Sequence, residues 1–253
     1  MRIEVIVQGF PGKRLSGSLA WSSVVYVETG KHKILFDTGG PNVRGTVRQH
    51  LQKAGVNPED ITMLVLSHFH DDHVRNFDYF PKARIFLHAV EAEWARSDPD
   101  EFAYPQHLFP ALEKTGRLEL VEKDVELVPG VHTLLVPGHT PGSMALVLKE
   151  AGRPVTVLGG DAVKNLAELA TGKVDKSMDF AVSAQSIKKV RDIGTIIIPG
   201  HDRTLQVTDD LIVALTAARE TIVVPAGAAN PNEPRYLELT LEQTWLPKLA
   251  ITD

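Results

Sequence analysis

A tightly spaced group of histidines and aspartates follows a run of apolar residues, and this feature constrains the chain more than any other. Residues 61–66 (ITMLVL) predict a short buried strand, and residues 68–73 (HFHDDH) come directly after it. Polar side chains packed this densely beside a buried strand need partners, because burying them alone is costly. In an extended or turning loop, the first two histidines of the group point to the same side and can hold one metal ion. The aspartate and histidine that end the group come around the turn and can face a second ion about 3.5–4 Å away.

Three other potential ligands stand where predicted strands run into loops. They are His139 in PGH, Asp161 in GGD and His201 in PGH. Loops at one edge of a sheet sandwich can converge on a point, so these residues are candidates for the same site. The chain contains no cysteine, so a metal ion must be held by histidine, aspartate or glutamate. Such donors suit Zn²⁺, and also Fe or Mn.

The bulk properties of the chain limit its class and its partners. Its 253 residues suit one larger α/β domain, or one domain with a short appendage. The net charge of −5 gives no sign of the basic face that nucleic-acid-binding proteins carry. The first ten residues (MRIEVIVQGF) alternate, so they predict a strand rather than a signal peptide, and no run approaches the ~20 apolar residues of a membrane span. We therefore expect a cytoplasmic protein without a membrane or nucleic-acid partner.

Apolar periodicity predicts strands and helices along most of the chain. Strands are predicted at 2–7, 22–28, 33–36, 61–66, 84–87, 118–121, 125–127, 133–136, 143–148, 155–158 and 195–198. Helices are predicted at 43–54, 91–95, 181–190 and, in the tail, 211–219. Residues 97–116 are rich in proline and aromatic residues, and we interpret them as an irregular insertion or a lid.

Five short motifs occur in an order that resembles the metallo-β-lactamase superfamily over residues 1–205. The motifs are LFDTG, SHFHDDH, PGHTPGS, GGDA and PGHD. The resemblance implies an α/β fold, in which two mixed β-sheets form an αββα sandwich flanked by helices. Residues 206–253 are then a C-terminal extension packed on this domain, and they are a candidate contact of a homodimer.

The resemblance also implies two divalent metal ions held by seven side chains. We expect Zn²⁺, with Fe or Mn as alternatives. The first ion is held by His68, His70 and His139. The second ion is held by Asp72, His73 and His201. Asp161 bridges the two ions. Asp37, in LFDTG, orients a ligand histidine from outside the coordination sphere.

Chemistry of this kind needs no serine or cysteine nucleophile. Two cations that share a water lower its pKa toward neutrality, and they stabilise the oxyanion that its attack forms. Asp72 or Asp161 can shuttle a proton to the leaving group. We therefore expect a metal-dependent hydrolase that cleaves an ester, lactone or thioester bond in a small molecule.

Three other functions are alternatives, and the two enzymatic ones use the same ligand set. A phosphodiesterase or ribonuclease predicts a basic track beside the metal ions. A mononuclear-iron persulfide dioxygenase predicts iron in the protein and oxygen uptake. A binding protein without catalysis predicts the loss of ligands, whereas the full set is present here.

Two groups within the superfamily resemble the chain more closely. Quorum-signal lactonases share its length, its SHxHxDH and GHD motifs and the bridging aspartate. They commonly carry a tyrosine just after that aspartate, where this chain has Ala162, Val163 and Lys164. Residues 66–88 resemble the subgroup called metallo-β-lactamase domain-containing protein 1, whose members are linked to RNA cleavage. The secreted zinc β-lactamases often use a cysteine, which this chain lacks.

Aromatic side chains and two cations are predicted to line the cleft. The predicted substrate contacts are Phe69, Phe109, Lys164 and Arg203. Other residues predicted to line the cleft are Phe10, Trp21, Tyr104 and Met178. An apolar cleft with one or two cations suits a small carboxylate, ester or lactone.

Overall fold

The computed structural model describes residues 1–228, 230–242 and 244–251. The strands in these residues are β1 (Arg2–Val7), β2 (Lys13–Arg14), β3 (Gly17–Ser18), β4 (Val24–Thr29), β5 (His32–Phe36), β6 (Met63–Val65), β7 (Arg84–His88), β8 (Leu118–Val121), β9 (Glu126–Val128), β10 (Val131–Leu135), β11 (Met144–Leu148), β12 (Thr156–Gly160), β13 (Ile196–Pro199), β14 (Leu205–Val207), β15 (Leu211–Ala214), β16 (Ala218–Val224), β17 (Arg235–Leu241) and β18 (Trp245–Pro247). The α-helices are α1 (Arg44–Lys53), α2 (Asp71–Val74), α3 (Ala89–Arg96), α4 (Leu108–Lys114), α5 (Leu166–Thr171) and α6 (Phe180–Ile193). Single 3₁₀ turns lie at Pro41–Val43, Pro58–Asp60 and Phe77–Tyr79.

Two mixed sheets form the frame of the molecule. The first has six strands in the order β1-β4-β5-β6-β7-β8, antiparallel at the β1 end and parallel from β5 to β8. The second has eight strands in the order β18-β15-β14-β13-β12-β11-β10-β9, and only β12 and β13 pair in parallel. Strands β16 and β17 pair with each other as a separate hairpin, and so do β2 and β3.

Buried side chains that alternate between the two faces of the strands produce a four-layer sandwich. Val24 and Tyr26 of β4 pack into one apolar cluster with helices α1, α3 and α4, whereas Val25 and Val27 face a second cluster between the two sheets. A third cluster packs α5 and α6 on the outer face of the second sheet. Successive side chains of a strand point to opposite faces, so a strand covered on both sides is apolar throughout. The αββα sandwich that the motifs imply is therefore confirmed.

Most predicted elements lie within three residues of the observed ones, but the tail was predicted wrongly. Residues 211–219 form β15, a turn and the start of β16 rather than a helix. Ile212 and Ala214 are fully buried while Leu211 and Val213 are half-buried, so the burial has period two. Pairing with β14 and β18 satisfies the backbone hydrogen bonds of β15. This pairing decides the structure, although the spacing of the apolar residues also fits a helix.

Two other sequence expectations can be placed on the fold. Residues 97–116 are not irregular throughout, because α4 occupies their second half. The predicted boundary between residues 205 and 206 lies inside β14, and β15 and β18 of the extension belong to the second sheet. Among the described residues, no helix is both long enough and apolar enough to span a membrane.

Candidate metal centre

Seven side chains from five segments meet at one edge of the sandwich. They follow the ends of β6, β10, β12 and β13, or lie in the short helix α2. Their potential ligand atoms form three overlapping groups, in each of which all the atoms lie within 4.8 Å of one another. The groups are His68, His70 and His139; His68, His73 and Asp161; and Asp72, His73 and His201. The structure thus brings together every residue that was predicted to hold a metal ion.

The carboxylate of Asp161 lies at the middle of this cluster. Its Oδ1 is 3.2 Å from Nε2 of His73 and 3.2 Å from Nε2 of His201. Its Oδ2 is 3.3 Å from Nε2 of His139, on the other side. One carboxylate therefore contacts imidazoles of both predicted ligand groups, as a bridging group must.

The remaining contacts close the two ends of the cluster. On one side, Nδ1 of His70 is 3.1 Å from Nε2 of His139. On the other, Oδ2 of Asp72 is 3.4 Å from Nε2 of His201 and 3.9 Å from Nε2 of His73. The side chain of Asp72 is 36% exposed, whereas that of Asp161 is 6% exposed. Of the two carboxylates, Asp72 is therefore the one that solvent reaches.

Buried polar atoms at the centre lack a hydrogen-bond partner. They include Nε2 of His68, Nε2 of His73 and Oδ1 of Asp161. Leaving such atoms buried and unpaired costs about 1–3 kcal/mol each. Imidazole nitrogens and carboxylate oxygens aimed at a common point fit divalent cations, so these residues suit the metal ions that the fold implies.

The electrostatics of the cluster agree with this fit. Burial lowers the pKa of His68 well below its ordinary value and lowers the pKa of His139 to about 3. Burial alone raises the pKa of Asp161, but the facing imidazoles hold it well below its usual range. For His73, burial lowers the pKa and the nearby carboxylates, Asp161 and Asp72 first, raise it well above its usual value. The anionic Asp161 and the neutral His68 and His139 are thus in the state that a cation needs, whereas the carboxylates favour a proton on His73 that a bound cation would replace.

Asp37 makes the contact expected of it. Its Oδ2 lies 2.8 Å from Nδ1 of His73, and its Oδ1 accepts a 2.7 Å hydrogen bond from the backbone N–H of Ser67. The hydroxyl of Ser67 donates to Oδ2 of the same aspartate and lies 2.9 Å from Nδ1 of His68. Asp37 has a left-handed backbone with φ of 59°, which costs energy and is kept where surrounding contacts hold it.

Glu91 is a residue that the sequence interpretation missed. Its fully buried carboxylate accepts hydrogen bonds from the backbone N–H of Phe69, the hydroxyl of Thr140 and the backbone N–H of Gly142. Burial raises its pKa, and these three donors oppose the rise. Glu91 therefore ties the loop at 68–73 to the loop after β10. A signal was available, because Glu91 shares the apolar face of its predicted helix with Ala95, one turn further on.

Two more outward-facing contacts were also missed. Nδ1 of His201 lies 2.9 Å from the backbone carbonyl oxygen of Trp21. Nε2 of His70 lies 3.2 Å from Oε2 of Glu101. The first contact uses a backbone atom and the second a residue of a loop predicted to be irregular, so no local pattern identifies either of them.

Two aromatic residues that were predicted to contact the substrate are buried in the core instead. Phe69 and Phe109 are at most 1% exposed, and they pack edge to face at 4.9 Å in the cluster between the first sheet and its helices. Since His68 and His70 turn toward the metal centre, the residue between them turns into the core. Neither ring lines an open cleft. Phe10 and Tyr104 are buried as well, at 5% and 6% exposure.

The predicted cationic contacts already have partners. Arg203 is 4% exposed, its Nε is 2.9 Å from Oδ1 of Asp202, and its guanidinium donates to the backbone carbonyl of Glu242. Arg203 is therefore buried and paired within the protein, and its predicted contact with substrate stays a prediction. Lys164 has its Nζ 3.0 Å from Oε1 of Glu168, and its side chain is 12% exposed.

Trp21 and Met178 remain beside the cluster. Trp21 is half-buried and stacks on Phe10 with ring centroids 4.8 Å apart. Met178 is 52% exposed, and its backbone N–H lies 3.3 Å from the carbonyl oxygen of His139. The backbone of each residue therefore contacts a ligand histidine, Trp21 at His201 and Met178 at His139.

The sequence pattern of the Metallo-beta-lactamase superfamily matches residues 21–218. The chain belongs to this superfamily. The match runs from Trp21 beside the cluster through all seven candidate ligands and ends at the first residue of β16. Superfamily membership and the His/Asp cluster agree in indicating a metal-binding site at this edge of the sandwich.

Three known proteins illustrate what the chain is similar to. It is 25% identical over 192 residues to mouse metallo-beta-lactamase domain-containing protein 1, covering 76% of this chain and 67% of that one. It is 27% identical over 156 residues to an N-acyl homoserine lactonase of Bacillus cereus, covering 60% of each chain. A solved N-acyl homoserine lactone hydrolase, with its product bound at the catalytic metal centre, superposes with a TM-score of 0.60 at 25% identity, over 71% of this chain and 80% of that one. The matched part thus spans only 60–67% of the length of these two relatives.

Proposed function

We propose that the protein is a dinuclear metal-dependent hydrolase that cleaves an ester, lactone or thioester bond in a small molecule, with Zn²⁺ as the ions. The observation that carries the proposal is the position of Asp161, whose two carboxylate oxygens face imidazoles on opposite sides. Ligands around the first ion would be His68, His70 and His139. Ligands around the second would be Asp72, His73 and His201, with Asp161 bridging.

The chain's own residues divide the work of such a reaction. When bound, the two ions supply a nucleophile at neutral pH and polarise the oxygen under attack. Asp72 is the carboxylate placed to carry a proton between the reacting atoms and solvent, because its side chain is 36% exposed. Asp161 is buried among histidines and holds the arrangement together.

The substrate class rests on chemistry and on relatives. Several relatives are named N-acyl homoserine lactonases, at 27–28% identity. The net charge of −5 disfavours a polyanion, and the two cations predicted beside the cluster, Lys164 and Arg203, are paired with acidic partners. We therefore place small-molecule hydrolysis above the phosphodiesterase alternative.

Elemental analysis and a hydrolysis panel test the proposal together. Purified protein is assayed for zinc, iron and manganese, and then with lactones, aryl esters, thioesters and bis-aryl phosphates. We expect two zinc ions per chain and turnover in one of the first three classes, lost with a chelator and in His70→Ala. The matched control is His32→Ala, since His32 begins β5 and takes no part in the cluster.

Three outcomes contradict the proposal. Two bound zinc ions without turnover of any substrate would remove small-molecule hydrolysis. Turnover of the phosphates alone would favour the phosphodiesterase. A single iron per chain, with oxygen uptake on glutathione persulfide, would favour the dioxygenase.

A further inference from the structure

Three ligand histidines share one arrangement around the candidate metal centre. Each directs Nε2 inward, and a neighbouring group contacts its outward Nδ1. The outward partners are Ser67 for His68, Asp37 for His73 and the Trp21 carbonyl for His201. Such outer contacts fix the tautomer and the ring direction of a metal-binding histidine.

His70 has the opposite orientation. Its Nδ1 faces inward, 3.1 Å from Nε2 of His139, and its Nε2 faces outward. The outward nitrogen lies 3.2 Å from Oε2 of Glu101, which is within ion-pair distance, although the two groups are not aligned as a hydrogen bond. The His70 side chain is 7% exposed, so solvent has little access to take the place of this carboxylate.

From this contact we infer that Glu101 is a positioning residue, which holds the ring of His70 so that Nδ1 remains the metal-binding nitrogen. The inference rests on the proposed role of His70 as a ligand. It assigns a function to the segment at 98–107, which joins α3 to α4 and which the sequence presents as an irregular insertion.

The carboxylate of Glu101 is itself held in place. Its Oε2 accepts a 2.9 Å hydrogen bond from the backbone N–H of Ala103. The carbonyl of Ala103 in turn accepts a 2.9 Å bond from the backbone N–H of Asp71, at the start of the helix that carries two ligands. The segment is therefore attached both to the His70 ring and to the backbone that follows it.

The backbone at both ends of the segment supports this role. Three non-glycine residues with positive φ occur among the described residues: Asp37 at 59°, Asp98 at 49° and His107 at 68°. Asp37 contacts a ligand histidine, and the other two bracket the segment that carries Glu101. Such conformations cost about 1–3 kcal/mol each and persist where the surrounding structure holds them.

Zinc affinity tests the inference without any assay of hydrolysis. The dissociation constants of both Zn²⁺ ions are measured by competition with a chromophoric chelator for the wild type, Glu101→Ala and Glu101→Gln. Asp100→Asn is the matched control, because Asp100 is an exposed acid in the same segment. In Glu101→Ala we expect the ion held by His70 to bind about 10–100-fold more weakly. Glu101→Gln keeps an acceptor oxygen and should lose less, while the control should keep the wild-type constants.

The two dissociation constants separate positioning from a general structural effect. Positioning weakens one ion more than the other and leaves the thermal midpoint of the zinc-stripped protein unchanged. Wild-type constants in Glu101→Ala would overturn the inference, and so would an equal loss in Asp100→Asn. If the wild type binds two zinc ions but hydrolyses nothing in the panel, the proposed function fails and the inference about Glu101 stands.

Discussion

The metal centre and the C-terminal hairpin, β16 with β17, are opposite kinds of structure in one chain. The centre buries charged side chains, and residues far apart in sequence hold them. The hairpin exposes apolar side chains, including Val223 at 53%, Tyr236 at 61% and Leu237 at 42%, and its two strands pair with each other alone among the described strands. An isolated two-stranded hairpin is only marginally stable in water.

This difference shows where a single substitution acts. At the centre the ligand side chains contact one another, so a change at one residue reaches the others through the network. In the hairpin each side chain faces solvent or its cross-strand neighbour, so a change stays local. Four predictions test this contrast, beginning with the largest expected effect.

Asp161→Asn should have the largest effect, because it removes the charge that faces three imidazoles. We expect kcat/KM on the substrate found in the panel to fall at least about 100–1,000-fold, with less zinc bound per chain. Steady-state kinetics and elemental analysis measure both. Asp192→Asn is the control, since Asp192 pairs with Lys188 on the surface of α6. Activity within threefold of the wild type would show that this carboxylate does not bridge.

Asp37→Asn should act through His73 without touching a metal ion. An asparagine carries a neutral amide where Oδ2 now accepts from Nδ1, so the ring loses the contact that fixes its tautomer. Zinc affinity should fall about 10–100-fold in a chelator competition. If the affinity is unchanged, the strained aspartate serves only the backbone around Ser67.

Glu91→Gln should weaken folding more than catalysis. The two carboxylate oxygens of Glu91 accept hydrogen bonds from three donors. In glutamine an NH₂ group replaces one of these oxygens, so it faces at least one of the donors in the buried site and leaves that donor without an acceptor. We expect the free energy of unfolding in urea to fall by about 1–3 kcal/mol. Glu93→Gln, on the exposed face of the same helix, is the matched control and should be neutral. Equal stability of the two variants would mean that Glu91 does not tie the two loops together.

Leu237→Ser in the hairpin should have the smallest effect. An exposed position away from packed groups changes the free energy of unfolding by no more than about 0.5 kcal/mol, and zinc binding should be untouched. Urea unfolding and the chelator competition check both. A loss above about 2 kcal/mol would break the contrast. It would show that another surface covers the hairpin in solution, as the predicted homodimer contact requires.

The apolar pattern of the chain was enough to predict most of its strands, because alternating and continuous apolar runs record which faces of a strand are covered. The αββα layers were predicted from the resemblance of five motifs to a known superfamily. The ligand residues could be found because metal chemistry demands particular side chains at strand ends, and five motifs supply them. The predicted contact of Asp37 with a ligand histidine follows from the same motifs.

Contacts between distant segments decided the rest. Phe69 and Arg203 were predicted at the cleft, but the first turns into the core and the second is neutralised by Asp202. Residues 211–219 form strands instead of the predicted helix, because neighbouring strands pair with residues 211–214. Glu101 carries no signature of its own, and the place of Glu91 on an apolar helix face does not reveal its partners, since only folding brings donors to a glutamate. Side-chain type and spacing are local properties and can be read along a chain, whereas burial and partnership depend on what the fold places opposite each residue.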